Sequence, residues 1–230
     1  HPNRSLNPVW SPDSKWVAYP RLLNSQFKAI FVYEIATGRQ IQVTDGMADA
    51  IAPIWDAGGE YLYFLASTDY GLSSGWLDMS SYDRPVTRHL YAAVLSKIGK
   101  SPFLPKSDEE STKENEEGEK KTEVAVQIDE EGLWNRIVAV DIPGKNYMDL
   151  IAAPENQVFI AENVPGESGW TLHRYDLAEK KSETFLTGIG TATVSHDRKA
   201  LLYQAKGNWG IVDTKGGPKK AGDGTLKALS

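Results

Sequence analysis

Four times along the chain an apolar strand end gives way to a short polar turn and then to a run of β-branched or aromatic residues. The first instance is Pro8-Val9-Trp10-Ser11-Pro12-Asp13-Ser14-Lys15-Trp16-Val17-Ala18-Tyr19. The second occupies residues 53–64 around Asp56-Ala57-Gly58-Gly59-Glu60, the third residues 151–161 around Pro154-Glu155-Asn156, and the fourth residues 193–203 around Ser195-His196-Asp197-Arg198. Proline presets φ at the second turn position, and Asp or Asn bonds nearby backbone, so these segments are built to reverse the chain. The turns recur after 45, 97 and 42 residues. Two of those intervals match the ~40–45 residues of a four-stranded propeller blade, and recurrence on that scale marks a propeller or a solenoid.

Period-two alternation between the turns predicts the strands. The first unit reads as strands at 6–10, 16–21, 30–35 and 40–44. The second starts near residue 50 and continues at 61–66, 88–96 and 136–142. The third is compact, with strands at 148–152, 157–162, 171–177 and 182–186. The fourth has strands at 192–195, 200–206 and 209–213, its outer strand being either absent or residues 225–229. The fold class is therefore all-β, a partial β-propeller of about four four-stranded antiparallel blades. The chain reads as one propeller piece, with blades at about 6–45, 46–143, 145–189 and 190–230 and long insertions at 68–85 and 97–131 in the second blade. Within the latter, the Glu/Lys-dense tract 106–121 lacks the apolar content to offset its ordering entropy and is expected to be a mobile acidic loop. Residues 122–128 alternate and are expected to pair locally as an extra strand.

Composition narrows the picture. Seven Trp and ten Tyr suit sheets packed face to face, and a net charge of −6 argues against a sequence-independent grip on nucleic acid phosphates. There is no cysteine, which removes disulfides, thiolate metal sites and cysteine nucleophiles. No stretch approaches the ~20 apolar residues of a membrane span. Beginning at His1 without a Met or an apolar leader, the sequence reads as a piece of a longer protein. A blade rests one face on each neighbour, so an open stack exposes apolar surface at both ends, and further blades are expected upstream.

The turn Ser11-Pro12-Asp13-Ser14-Lys15 followed by Trp16-Val17-Ala18-Tyr19 resembles the blade motif shared by TolB-type, dipeptidyl-peptidase-type and tricorn-type propellers. Further segments resemble the second propeller of tricorn-like serine peptidases. These are Ala36-Thr37-Gly38-Arg39-Gln40-Ile41, Ser101-Pro102-Phe103-Leu104-Pro105 leading to Ser107-Asp108-Glu109-Glu110, Arg136-Ile137-Val138-Ala139-Val140, and Trp209-Gly210-Ile211-Val212-Asp213. The resemblance covers nearly the whole chain. It implies a non-catalytic scaffold that gates or filters peptides on their way to a serine peptidase domain elsewhere in the full-length chain, where a PDZ-like module and the Ser/His machinery lie. The implied partners are peptides or unfolded polypeptide in the channel, and the remaining blades and catalytic domains of the parent chain, with a homo-oligomer left open. The compartment is also open, since relatives of this kind are cytoplasmic or carry export signals. The alternative is a TolB-like interaction propeller with no peptidase attached.

Candidate chemistry is sparse. Ser195-His196-Asp197 carries the letters of a hydrolase triad, but consecutive turn residues cannot form a nucleophile–base–orienter chain, and their position matches Ser11-Pro12-Asp13. His1, His89, His173 and His196 are scattered without metal-ligand spacing, so no metal is implied, and Gly222-Asp223-Gly224 opens no helix that would cradle a phosphate, so no cofactor is implied. No catalytic residue is assigned. Trp10, Trp16, Tyr19, Tyr61 and Tyr63 are expected to pack between blades, carbohydrate stacking being the other reading. A propeller glycosidase would need converging carboxylates at the channel mouth, and nothing in the sequence recommends one. The inner strands, near 7–9, 50–53, 149–151 and 191–193, are the expected channel walls. In the insertion at 68–85, Trp76, Leu77, Met79 and Tyr82 form a candidate interaction patch, because aromatics and Met favour interfaces. The competing reading is that they tuck onto their own blade.

Overall fold

The structure is a computed structural model that describes residues 7–70, 86–103 and 124–226. Blade I is built from β1 (Val9–Trp10), β2 (Trp16–Leu22), β3 (Lys28–Glu34) and β4 (Gln40–Gln42). Blade II contains β5 (Asp49–Trp55), β6 (Tyr61–Ser67), β7 (His89–Val94) and β8 (Ile137–Ala139), the last preceded by a 3-10 turn at Leu133–Arg136. Blade III is β9 (Tyr147–Ala152), β10 (Gln157–Glu162), β11 (Trp170–Asp176) and β12 (Lys181–Ile189), and blade IV is β13 (Thr191–Val194), β14 (Ala200–Ala205) and β15 (Asn208–Asp213). Each is an antiparallel meander in sequence order, and together they form a four-bladed propeller arrangement with no α-helix among the described residues.

The packing shows which end of each meander is central. First strands meet first strands: β5 packs against β1 and β9, and β9 against β13. The outer strands are instead separated by the splay that sheet twist imposes. All four repeated hairpin turns, and the connections from third to fourth strand, therefore lie on one rim, called here the hairpin rim. The passages from one blade to the next, and the second-to-third-strand connections, lie on the opposite crossover rim.

Burial follows from this stacking. Almost every residue of β6 and β10 is buried, because blades II and III have a neighbour on each face. In β2 and β14 buried residues alternate with half-buried ones, as one face only is covered. Three apolar clusters fill the three seams. Trp16, Ile30, Val32 and Ile41 of blade I meet Trp55, Leu62 and Phe64 of blade II. Tyr63, Leu65 and Leu90 meet Val158, Ile160 and Tyr175, while Phe159, Leu172 and Phe185 meet Leu201 and Tyr203.

One expectation needs correction, and an alternative left open is decided. Residues 124–128 pair with no strand. Their alternation serves to drive Val126 and Ile128 into the seam between blades I and II, where the Val126 amide donates to Asp13 Oδ2 at 3.0 Å. Nor is the outer position of blade IV vacant. Thr225 bridges Gly210, the Leu226 amide donates to Trp209 O at 2.8 Å, and the Ile211 amide donates to Gly224 O at 3.0 Å. A Cβ at residue 224 would stand 1.9 Å from Ile211 O, and φ there is +61°, so glycine is what permits this closure. The tract 106–121 lies outside the described residues.

Candidate functional site

Polar chemistry concentrates between blades II and III. Of the eight buried polar or charged residues among the described ones, five are Asp49, Ser67, Glu162, Thr171 and His173, all at the crossover rim of this seam. Strand register explains the convergence. Val158, Ile160 and Tyr175 pack on blade II, so period two places Glu162 on the same face, and His173, directly opposite Ile160, joins them. On the facing side Asp49 pairs with Ser67, two residues beyond Leu65 of the same cluster.

Glu162 organises this end. Its Oε2 accepts from His173 Nε2 at 2.6 Å and from Lys145 Nζ at 3.0 Å. His173 Nδ1 then lies 3.4 Å from Thr184 Oγ1. The result is a carboxylate–imidazole–hydroxyl chain whose carboxylate is also held by an ammonium, an arrangement that orients and balances charge. Tyr147 stacks edge-on to His173 and donates its hydroxyl to Pro143 O at 3.1 Å. Burial, reinforced by the Glu162 charge, pushes the Tyr147 phenol up to about 12. From blade II, Arg88 donates to Tyr147 O at 3.1 Å. Burial lowers the pKa of its guanidinium, while the Asp49 charge opposes that effect. Arg88 Nε and Asp49 Oδ2 are buried without a hydrogen-bond partner among the described residues, although Asp49 Oδ1 accepts from the Lys28 amide at 3.0 Å. Asp69 accepts from both the amide and the hydroxyl of Thr87.

At the hairpin rim the same seam is closed by an arginine from blade IV. Arg198, in a left-handed turn position, donates from Nη1 to Ala153 O at 3.1 Å and from Nη2 to Trp55 O at 3.3 Å. These carbonyls end or follow the inner strands of blades III and II, so one side chain ties three blades together. Burial pushes the carboxyl of neighbouring Asp56 up, against the pull of the Gly58 amide and of Arg198. Tyr63 and Tyr175 bury their hydroxyls in this seam with no hydrogen-bond partner among the described residues, and burial raises both phenols.

The residues singled out from sequence fall as follows. Trp76, Leu77, Met79 and Tyr82 lie outside the described residues. Ser195 Oγ donates to Asp197 Oδ1 at 2.6 Å and accepts from the Ala200 amide at 3.0 Å. Ser11 does the same with Asp13 at 2.6 Å and the Trp16 amide at 2.9 Å, so the two turns share one hydrogen-bond plan. Among the described residues no three His, Asp or Glu side chains are grouped to hold a metal ion. Trp16 and Tyr63 pack between blades, and Tyr61 is half-buried beside Tyr63. Trp10 does not pack between blades: it is 60% exposed on the free face of blade I, where Tyr19 stacks on Phe31. The expected wall segments belong to, or directly precede, β1, β5, β9 and β13. Glu162 and Lys145 went unnoticed in sequence. The available signal was a carboxylate ending the apolar run Gln157-Val158-Phe159-Ile160-Ala161, opposite a face bearing His173 and Tyr175.

Residues 3–215 match the family described as the tricorn protease second beta propeller domain. The chain belongs to this family. It is 26% identical over 216 residues to a tricorn-like protease C-terminal subunit of Sulfurisphaera tokodaii, covering 91% of this chain and 23% of that protein. It is 24% identical over 212 residues to a tricorn protease homolog of Saccharolobus solfataricus, covering 89% of this chain and 18% of that one. The chain thus spans about a fifth of the length of these curated relatives. Among solved structures, the tricorn protease superimposes with a TM-score of 0.65 at 18% identity, over 90% of this chain and 20% of the other. TolB from Acinetobacter baumannii gives 0.55 at 17% identity, over 91% and 41%. At such identities the structural matches speak for the fold alone.

Proposed function

We propose that this propeller region is a non-catalytic scaffold and gate, admitting peptides to a serine peptidase domain elsewhere in the full-length chain. The observation that carries the reading is the arrangement of the inner strands. Among the described residues β1, β5, β9 and β13 are each paired with a strand on one side only, and they are the strands that converge. Their free edges offer backbone donors and acceptors to an extended chain without demanding a sequence, which is what a filter of unfolded polypeptide needs. Membership of the tricorn second-propeller family supports the presence of the peptidase, and fold alone would not assign it.

The test compares peptide hydrolysis by this chain with hydrolysis by the full-length protein. The expected outcome is turnover of peptides by the full-length protein and none by the chain alone. Turnover by the isolated chain overturns the reading, and so does a full-length protein that cleaves folded and unfolded substrates at equal rates.

A further inference from the structure

Where the chain passes from blade I to blade II, an open cleft of about 350 Å3 lies at the crossover rim of their seam, lined along blade II from Ala50 of the inner strand β5 to Ile137 of the outer strand β8. That volume is within the range of small-ligand sites. Its wall on blade II is the stacked pair Phe64 and Tyr91, with ring centroids 5.6 Å apart and planes 14° from parallel. Trp134 lines it as well, held in place by its indole N–H, which donates to Gln42 O at 3.1 Å. Met47 joins them from the crossover, its amide donating to Asp45 Oδ1 at 3.0 Å. Met47 is 78% and Trp134 56% exposed, so two large apolar side chains stand in water beside the same cleft. Such exposure costs solvation free energy and marks a surface that meets something else.

The charge of the cleft decides what that is. Asp45 is the sole charged residue lining it, and Asp45 forms no ion pair among the described residues. Aromatic faces carry negative potential, and three aromatic side chains add theirs to the carboxylate. We propose that this cleft is a binding site for the cationic side chain of a polypeptide, an arginine or a lysine. The alkyl stem lies along Met47 and Trp134, and the charged head sits against the aromatic faces and Asp45. Long basic side chains suit such a site, because their stems cover apolar surface while the head keeps its charge paired. An anion is repelled here, and a purely apolar group leaves the Asp45 charge without a counter-ion. This site goes beyond gating: it holds one basic side chain of a polypeptide at the crossover rim, between blades I and II.

The test titrates Nα-acetyl-arginine amide into the chain and follows the Met47 methyl resonance. Nα-acetyl-citrulline amide, of equal shape without charge, and Nα-acetyl-leucine amide serve as comparisons. Arginine amide is expected to bind about tenfold more tightly than either. Asp45→Asn should weaken it about fivefold and cut the preference over citrulline to about twofold, and Trp134→Ala should weaken it about tenfold, while Trp134→Phe, which keeps an aromatic face, retains most of it. Thermal melts identify any variant that fails to fold, and Trp134→Phe then carries the comparison. Equal binding of citrulline or leucine amide overturns the proposal, as does arginine binding that both Asp45→Asn and Trp134→Ala leave unchanged.

Discussion

The seams on the two sides of blade II are built on different principles. Toward blade I the contact is aliphatic and aromatic, and its main polar anchor is the Trp55 indole, which donates to Val9 O at 3.0 Å. The returning arm of the second insertion completes it by supplying Val126, Ile128 and Leu133. Toward blade III the middle is apolar, but both rims are charged or phenolic. All four of the buried polar atoms without partners among the described residues belong to blades II and III. Apolar burial is non-directional and insensitive to pH, whereas a polar seam depends on protonation states and on every partner staying in place. A propeller that presents a channel can fix one pair of blades by shape and leave the neighbouring pair adjustable by charge.

The strongest way to break this contrast is to empty the apolar seam. Trp55 is almost fully buried at the end of β5, and Trp55→Ala is expected to cost about 4 kcal/mol. Trp55→Phe fills most of the space and loses mainly the bond to Val9, so its cost should be about 1 kcal/mol. Urea denaturation of both variants measures the difference. If the alanine variant loses no more than the phenylalanine one, shape is not what holds blades I and II.

A smaller effect probes the polar seam. Glu162→Gln keeps the volume but removes the charge that His173 and Lys145 share. We expect a loss of about 2 kcal/mol, less than for a wholly buried pair because the Lys145 side chain keeps 43% of its surface exposed. The double variant Glu162→Gln/Lys145→Met should cost less than the sum of the two single changes, since each partner's loss is felt through the other. Additive costs in a double-mutant cycle would show that Lys145 and Glu162 do not act as a unit.

How far the sequence led differs between these regions in the same physical way. Strand positions were legible because one-sided burial forces alternation along β2 and β14, while β6 and β10, buried on both faces, read as short apolar runs bounded by turns. Ends were less so: the first inner strand was expected from residue 6, while β1 is Val9–Trp10. The segment at 122–128 misled because alternation reports one buried face and not what buries it, and here a seam does so in place of a neighbouring strand. The polar seam was illegible for a related reason. Lys145, Glu162 and His173 sit on a crossover and on two strands, and only the register of β10 against β11, with the approach of β9, brings them within hydrogen-bonding distance. Trp134 escaped notice likewise, as its meaning depends on Gln42 O and on Tyr91, both distant in sequence.

The smallest predicted effect is one of pH, and it bears on the polar seam. Tyr147 is raised to about 12 by burial and by the Glu162 charge, and Tyr61, at the other rim of blade II, to about 12 by burial and by Glu60. Both phenols are raised above the ~10 of an unfolded tyrosine, so the unfolded chain releases these protons first. Their contribution is fully present below pH ~10 and is lost as pH rises toward ~12, because there the folded state holds protons that the unfolded state has given up. For Tyr147, at pH 11, this amounts to about 1 kcal/mol. Ionisation would also take from its hydroxyl the proton it donates to Pro143. Tyr147→Phe should therefore be somewhat less stable than the parent at pH 8, for want of that bond, and should lose less stability between pH 8 and pH 11. Midpoints of urea unfolding at the two pH values decide it. Equal losses for parent and variant would mean that the seam toward blade III is no more sensitive to alkali than the apolar one.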